Sequence, residues 1–454
     1  MASSFERSTL IQLASPTPNS TAAGPFGSNL VSGDYVERGV PVIRGQNLSE
    51  RWVGGDFVYV SQEKADRLRT NTAKPGDIVF TQRGTLGQVS LVPAEPYDTY
   101  VISQSQMKLT VDESKADPVY VYYAAKSHDF ISQIQDNAVA AGVPHINLGL
   151  LRAMTIPVPG LHEQRSIAST LSSLDDRIDN LRQANSTLEA IAQALFKSWF
   201  VDFDPVRAKA EGREPEGMDA ATAALFPSEF EDLEFGPIPK GWMLTKISAV
   251  AELIKGCSYK GAGLRESEGA FMFNLGCFNA IRTFATENIK RYTGAYRDRH
   301  VVRGGDLIMA NTDMTQHRQI LGRALFVPTG YDPAFVSHHV FKVVVKRPSA
   351  DVWKRYLFFA FQQSAFRERA VGHATGTTVL ALARDSAELC PVIEPTNRVL
   401  ASFDGVVAPL LCKIEKNLKL VSALEQLRDT LLPRLISGKL RLSDAETLVD
   451  EASV

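Results

Sequence analysis

The sequence contains few cysteines and no long apolar stretch. Its 454 residues include four cysteines, and none of them forms a CxxC pair. This spacing argues against a zinc site and is typical of reduced thiols inside a cell. No apolar run reaches the ~18 residues of a membrane span, and the N-terminus lacks a signal-peptide pattern. These absences predict a cytoplasmic protein without disulfides or a membrane segment.

Motifs of common catalytic sites are also missing. The sequence has no GxxxxGK[ST] loop, no Asn-Pro-Pro-aromatic tetrad, no Rossmann glycine cluster, and neither HExxH nor GxSxG. Asp202, Asp204 and Lys209 resemble a nuclease cluster only loosely, because no strand accompanies them to fix a metal. Adjacent residues of a strand point to opposite faces, so we expect one of His338 and His339 to be buried and the other outward. The sequence therefore predicts no catalytic residue, cofactor or metal in this chain.

Charge is distributed unevenly along the chain, although the net charge is only −2 at pH 7. Residues 241–394 contain 20 Lys and Arg against 13 Asp and Glu, an excess of +7. Residues 1–160 contain 13 against 15, and residues 201–240 contain 4 against 10. The region 241–394 is basic enough to favour a phosphate backbone, whereas 1–160 would need local patches. Ordinary variation between domains is the alternative.

The chain contains an internal duplication. The segment 74–93 (KPGDIVFTQRGTLGQVSLVP) has a counterpart in 303–328, with a Gly-Asp, an apolar triplet and a closing Val-Pro. The alternating strand-like segments at 100–111 and 334–345 follow in the same order. The two copies are about 230 residues apart throughout, a period that indicates two domains of one fold.

A long helical pattern follows each copy. In 161–200 and in 396–436 apolar residues recur at alternating steps of four and three, the heptad pattern of a coiled coil. The predicted core residues are Ile167, Leu171, Leu174, Ile178, Leu181, Asn185, Leu188, Phe403, Val407, Leu410, Ile414, Asn417, Val421 and Leu424. The pattern predicts that the two helices pair, and packing on separate domains is the alternative.

The two asparagines of this predicted core stand at places where an apolar residue would pack better. A buried Asn in a coiled coil fixes the register at a cost in stability. In an antiparallel pair Asn185 and Asn417 need not meet each other, and a partner protein could contact them instead.

Several motifs resemble the specificity subunits of type I restriction–modification systems. They are residues 156–200, with Glu-Gln-Arg at the start of a long helix and Phe-Lys-Ser-Trp-Phe at its end, then PVRAKAEG, IPKGW and the segment 431–442 (LLPRLISGKLRL). The resemblance covers nearly the whole chain. Residues 394–400 depart from the family's Pro-Leu-x-Glu-Gln pattern, which concerns only the start of the second helix.

The resemblance implies a mixed α/β fold with two duplicated target-recognition domains and two long helices that form an antiparallel coiled coil. The expected boundaries are 1–160 for the first domain, 161–200 for the first helix, 201–240 for a linker, 241–394 for the second domain, 395–440 for the second helix and 441–454 for the tail. About 40 helical residues span roughly 60 Å, so the coiled coil would hold two DNA half-sites at a set distance.

The resemblance also implies the partners. Each domain would read one half-site of a double-stranded DNA target. Two adenine methyltransferase subunits would supply S-adenosylmethionine chemistry, and translocase–nuclease subunits would use ATP and Mg. The chain itself would be non-catalytic and would hold no cofactor.

Polar residues in loops beside the duplicated strands are the candidates for reading bases, since Arg pairs with guanine and Gln or Asn with adenine. The candidates in the first copy are Arg44, Gln46, Asn47, Gln82, Arg83, Gln104, Gln106, His145 and Asn147. The candidates in the second copy are Asn311, Asp313, Thr315, Gln316, His317, Arg318, His338, His339, Thr377 and Thr378. A specificity subunit of a methylation-only complex, and a coiled-coil scaffold that does not bind DNA, are the alternative functions.

Overall fold

The computed structural model describes residues 5–138, 143–233, 236–279, 282–314, 319–376 and 379–452. The chain forms two compact units. Unit 1 consists of Met1–Asn180 and Leu420–Val454, and unit 2 consists of Leu181–Lys419. This division differs from the predicted boundaries, because each unit takes one sheet domain together with half of each long helix.

The strands are numbered in chain order. They are β1 Arg7–Thr9, β2 Thr21–Ala23, β3 Tyr35–Val36, β4 Val40–Ile43, β5 Val58–Val60, β6 Thr72–Ala73, β7 Ile78–Thr81, β8 Val89–Leu91, β9 Tyr100–Ile102, β10 Gln106–Leu109, β11 Thr155–Pro157, β12 Phe230–Leu233, β13 Gly236–Pro239, β14 Met243–Lys246, β15 Ala251–Lys255, β16 Leu264–Arg265, β17 Ala270–Phe273, β18 Lys290–Tyr292, β19 Val301–Val302, β20 Leu307–Ala310, β21 Thr312–Asp313, β22 Ala324–Phe326, β23 Ala334–Val336, β24 Val340–Val345, β25 Leu380–Ala381 and β26 Pro391–Glu394.

The α-helices are numbered in the same way. They are α1 Leu10–Leu13, α2 Gln62–Arg67, α3 Pro118–Lys126, α4 His128–Asn137, α5 Leu148–Ala153, α6 Leu161–Phe200, α7 Asp204–Ala210, α8 Ala220–Ala223, α9 Ile247–Val250, α10 Ala350–Gln362, α11 Ser364–Gly372, α12 Arg384–Glu388, α13 Asn397–Ile436 and α14 Leu442–Ala452.

The two units repeat the same sheet topology. Unit 1 has a four-stranded sheet of order β2-β10-β7-β8 and a five-stranded sheet of order β3-β5-β4-β9-β6. Unit 2 has the corresponding orders β15-β24-β20-β22 and β16-β18-β17-β23-β19. Within the five-stranded sheets, β4 pairs parallel with β9 and β17 pairs parallel with β23. The predicted mixed α/β fold with two duplicated domains and two long helices is confirmed.

The helices α6 and α13 pack together through the residues of the heptad pattern. Of the fourteen predicted core residues, Leu188 and Leu410 are half-buried and the others are buried. In unit 2, Asn185 contacts Asn417, and the ring of Phe196 lies 5.8 Å from that of Phe403. Since the later residue of α6 meets the earlier residue of α13, the pair is antiparallel.

Two polar pairs interrupt this apolar seam. In unit 2 the Asn417 Nδ2 donates to Asn185 Oδ1 at 2.8 Å, and both side chains are buried. The expectation that the two asparagines need not meet is therefore wrong: the antiparallel register brings them to the same level. In unit 1 the Arg428 guanidinium donates to Asp175 at 2.7 Å. Each unit thus contains a polar pair within its half of the helix pair.

The segment 201–240 is folded rather than a free linker. It forms α7, α8 and the pair β12–β13. Its Phe203, Val206 and Phe226 are buried in the core of unit 2 beside Trp199 and Trp242. A linker was predicted because the segment is rich in Pro, Gly and acidic residues, and its few large apolar residues are widely spaced.

Candidate nucleic-acid interface

A tight turn joins β9 to β10 in unit 1. We name Ser103–Gln106 turn 1; its Gln106 N–H donates to the Ser103 carbonyl at 3.0 Å. The Gln82 N–H donates to the Ser105 carbonyl at 2.7 Å, which ties the segment after β7 to the turn. Gly24 lies against the turn, and a Cβ there would be 1.9 Å from the Ser103 carbonyl oxygen. Three chain segments are therefore fixed at one end of the sheets.

Several buried polar atoms around turn 1 have no hydrogen-bond partner in the part of the chain that the structure describes. Gln106 is fully buried, and its Oε1 accepts from the Ser103 hydroxyl while its Nε2 has no partner among the described residues. Gln82 Oε1 and Arg44 Nε are likewise buried without a hydrogen-bond partner within the described ranges. A buried donor or acceptor left unpaired is costly, so these atoms favour a polar ligand or water at this place.

A fourth segment completes the site in unit 1. His145 faces Arg83 across an isolated antiparallel bridge, and the Ile146 N–H donates to the Gln82 carbonyl at 3.0 Å. Arg83 is exposed, and His145 is half-buried. Together with the exposed Gln104 of turn 1, they form the accessible part of this candidate interface.

Two other candidates of the first copy use their amides to hold the backbone. Asn47 is buried; its Oδ1 accepts the Arg44 N–H, and its Nδ2 donates to the Gly54 carbonyl at 2.9 Å. Asn147 caps α5, since its Oδ1 accepts the Leu150 N–H at 2.9 Å. We assign a structural role to both residues. Gln46 is exposed, although its Nε2 donates to the Asp56 carbonyl at 2.9 Å.

Unit 2 repeats this construction. We name Ser337–Val340 turn 2; it joins β23 to β24, and its Val340 N–H donates to the Ser337 carbonyl at 2.9 Å. The Asn311 N–H donates to the His339 carbonyl at 3.0 Å, as Gln82 does to Ser105 in unit 1. Gly256 takes the place of Gly24, and a Cβ there would be 2.2 Å from the Ser337 carbonyl oxygen.

The two histidines of turn 2 lie on the same side. Both are half-buried, and their ring centroids are 3.9 Å apart. The expectation of one buried and one outward ring is wrong, because His338 and His339 occupy the centre of a turn and not a strand. The described residues contain no group of three or more His, Cys, Asp or Glu side chains that could share a metal ion.

The surroundings keep these imidazoles neutral at pH 7. Burial lowers the pKa of His338, and the nearby Lys255 ammonium lowers it further. Burial also lowers the pKa of His339, with His338 and Lys255 adding to the effect. Because the ordinary histidine pKa is about 6.5, the lowered values leave each ring with one N–H. Each ring can then donate at one nitrogen and accept at the other.

Other candidates of the second copy serve the fold or lie outside the described residues. Asn311 is buried, and its Nδ2 donates to the His338 carbonyl at 3.1 Å. Asp313 is buried, and its Oδ2 accepts the N–H groups of Ile320 and Leu321. The candidates outside the described residues are Thr315, Gln316, His317, Arg318, Thr377 and Thr378.

Sequence reasoning missed Thr312. Its hydroxyl lies 2.9 Å from the Nδ1 of His339. The signal was available in the duplication, because Thr312 follows Asn311 as Arg83 follows Gln82, and both residues form the bridge to the next segment.

No helix among the described residues combines the length and the apolar character needed to cross a bilayer.

Sequence comparison supplies relatives for most of the chain. Residues 29–190 match the family described as type I restriction modification DNA specificity domain. The chain is 25% identical over 413 residues to the type I restriction enzyme MjaIX specificity subunit of Methanocaldococcus jannaschii, with 86% of this chain and 85% of that protein aligned. It is 23% identical over 413 residues to the HindI specificity subunit of Haemophilus influenzae, with 81% and 87% aligned.

A solved structure shares the fold. The S subunit of a type I restriction–modification system from M. genitalium aligns with a TM-score of 0.55 at 16% identity, covering 95% of this chain and 96% of that chain. The similarity extends over both units, which agrees with the duplicated topology described above.

Proposed function

We propose that this chain is a specificity subunit of a type I restriction–modification system and that it recognises a bipartite DNA target without catalysing a reaction. Unit 1 reads one half-site and unit 2 reads the other. The helices α6 and α13 dock two methyltransferase subunits, and translocase–nuclease subunits join for restriction. One observation carries this proposal: turns 1 and 2 share a backbone scaffold and differ in their polar side chains.

The chemistry of the two turns supports different half-sites. An Arg or Gln side chain can form two hydrogen bonds to a guanine or an adenine edge in the major groove. Unit 1 offers the exposed Arg83 and Gln104, and unit 2 offers the paired rings of His338 and His339. Since the backbone of each turn is held by hydrogen bonds, little ordering cost remains for binding.

Methyl transfer and cleavage belong to the partners in this proposal. S-adenosylmethionine, ATP and Mg bind there, and the motifs for these ligands are missing from this sequence. This chain contributes only recognition and assembly.

The test is methylation mapping of DNA from cells that produce this chain with its methyltransferase partner. We expect one bipartite motif. Replacing residues 241–394 with the corresponding domain of a relative should change one half-site and preserve the other. The control is the exchange of residues 1–160, which should change the opposite half-site.

Two outcomes would contradict the proposal. If the assembled complex shows no sequence preference, the chain is a scaffold and not a reader. If either exchange alters both half-sites, the units do not read independently. Adding the translocase–nuclease subunits then separates a restricting complex from a methylation-only one.

A further inference from the structure

We infer that His339, held by Thr312, reads a purine in the half-site of unit 2 by donating a hydrogen bond from Nε2 to an acceptor of the major-groove edge. This inference rests on the proposed function and names the residue pair and the base chemistry within it. Thr312 acts as the positioning residue, and His339 makes the contact.

Hydrogen bonds hold the backbone of turn 2 rigidly in place. The backbone of Asn311 donates to the His339 carbonyl at 3.0 Å, and its side chain donates to the His338 carbonyl at 3.1 Å. The turn also closes on itself from Val340 to Ser337 at 2.9 Å. These bonds fix the backbone on both sides of the His339 side chain. A fixed backbone is what a base-specific contact requires.

Thr312 and the ring of His338 orient the imidazole of His339. Thr312 is 7% exposed, so its hydroxyl is enclosed by protein. That hydroxyl lies 2.9 Å from the His339 Nδ1, and the neighbouring His338 ring lies 3.9 Å from the His339 ring. The hydroxyl and the neighbouring ring restrict rotation of the half-buried imidazole. Nδ1 has a partner inside the protein, and Nε2 is the ring nitrogen without a hydrogen-bond partner among the described residues.

The position of the proton on the His339 ring decides which nitrogen can donate to DNA. A neutral imidazole has one donor and one acceptor nitrogen, and the bond made by one nitrogen sets the role of the other. When the Thr312 hydroxyl donates to Nδ1, the proton of the ring stands on Nε2. A donor at this position complements N7 of a purine, and O6 as well in guanine, in the major groove.

Unit 1 offers a natural contrast. The equivalents of Thr312, His338 and His339 by chain position and hydrogen bonding are Arg83, Gln104 and Ser105. Turn 1 therefore contains no imidazole, and its half-site should be indifferent to changes in the Thr312–His339 pair. This makes the half-site of unit 1 an internal control in every measurement.

The experiment uses the assembled complex of the full chain with its methyltransferase partner. The duplexes carry the target found by methylation mapping, with each base varied in turn. Thr312→Val removes the hydroxyl and keeps the shape, whereas Thr312→Ser retains the hydroxyl. We expect Thr312→Val to reduce discrimination about 10-fold at one position of the unit 2 half-site, within the range of a single base contact. Thr312→Ser should retain most of that discrimination.

A second variant and a modified base test the contact itself. His339→Gln retains a donor at a similar distance and should preserve part of the preference at the same position. Replacing the purine there with its 7-deaza analogue removes N7 and should weaken the wild-type complex but change the Thr312→Val complex little. Thermal unfolding of each variant separates misfolding from altered recognition.

The inference fails if Thr312→Val and Thr312→Ser behave alike, or if discrimination falls at every position of both half-sites. It also fails if the 7-deaza analogue weakens both complexes equally. If the wild-type complex itself shows no sequence preference, the proposed function is contradicted instead.

Discussion

Turn 1 of unit 1 and turn 2 of unit 2 share their backbone hydrogen bonds and differ in their side chains. In both, the residue after a buried strand donates its N–H to the third residue of the turn, and a glycine packs on the first. The central side chains are Gln104 and Ser105 in turn 1, and His338 and His339 in turn 2. The comparison separates what the duplicated fold requires from what can vary with the DNA sequence.

The ion pairs in the four-stranded sheets that lead into the turns also differ between the units. In unit 1, Lys108 pairs with Asp77 at 2.9 Å, and their side chains are 10% and 3% exposed. In unit 2 the equivalent Lys342 lies 3.8 Å from Asp306, and Lys354 approaches the same carboxylate at 3.1 Å. In unit 1 a buried lysine thus pairs with the aspartate, whereas in unit 2 two more exposed lysines face the equivalent aspartate.

The largest effect is expected from removing that cation. Lys108→Met leaves Asp77 buried without its ammonium and should cost unit 1 about 3 kcal/mol or more. Lys342→Met should cost unit 2 about 1 kcal/mol, because Lys354 still faces Asp306 and the site is more exposed. Hydrogen exchange at the sheet amides of each unit measures both losses. Equal losses in the two units would contradict this comparison.

The glycines behind the turns should give the next effect. Gly24→Ala and Gly256→Ala each place a Cβ within 2.2 Å or less of a backbone carbonyl oxygen. Each should cost about 3 kcal/mol through backbone displacement and should weaken only the half-site of its own unit. Gly33→Ala and Gly261→Ala are the controls, since nothing lies within 4 Å of the added atom. If test and control variants are equally stable, as judged by thermal unfolding, close packing at the turns is not essential.

The smallest effect concerns the polar pairs of the helices, Asn185–Asn417 in unit 2 and Asp175–Arg428 in unit 1. Asn185→Leu leaves the Asn417 amide without its partner and should cost about 1–3 kcal/mol. The double variant with Asn417→Leu should recover most of that loss, because two leucines suit the seam. A double-mutant cycle by chemical denaturation gives the coupling. Strictly additive losses would show that the hydrogen bond between the two amides does not matter.

Several features of the fold could be predicted from sequence because they are periodic or repeated. The heptads of α6 and α13 place an apolar stripe on each helix, and two such stripes of similar length favour pairing of the helices. The spacing of about 230 residues between the copies predicted two domains of one topology, and the sheet orders repeat as expected.

The candidate interface was harder to predict, because a polar residue in a loop has two uses. Asn47, Asn311 and Asp313 are residue types that can read DNA bases, yet each forms hydrogen bonds with backbone groups of the protein itself. Sequence alone does not distinguish these uses, since the partners of Asn47 are up to nine residues away and those of Asn311 are 27 residues away.

The duplication, the length of the helices and the missing catalytic motifs follow from the order of residues, because each depends on a local pattern. The meeting of Asn185 with Asn417 and of Thr312 with His339 depends on residues that are 232 and 27 positions apart. Antiparallel register sets the first contact, and the hydrogen bonds of turn 2 set the second. Both are long-range arrangements of backbone, and they arise only when the strands and helices have packed.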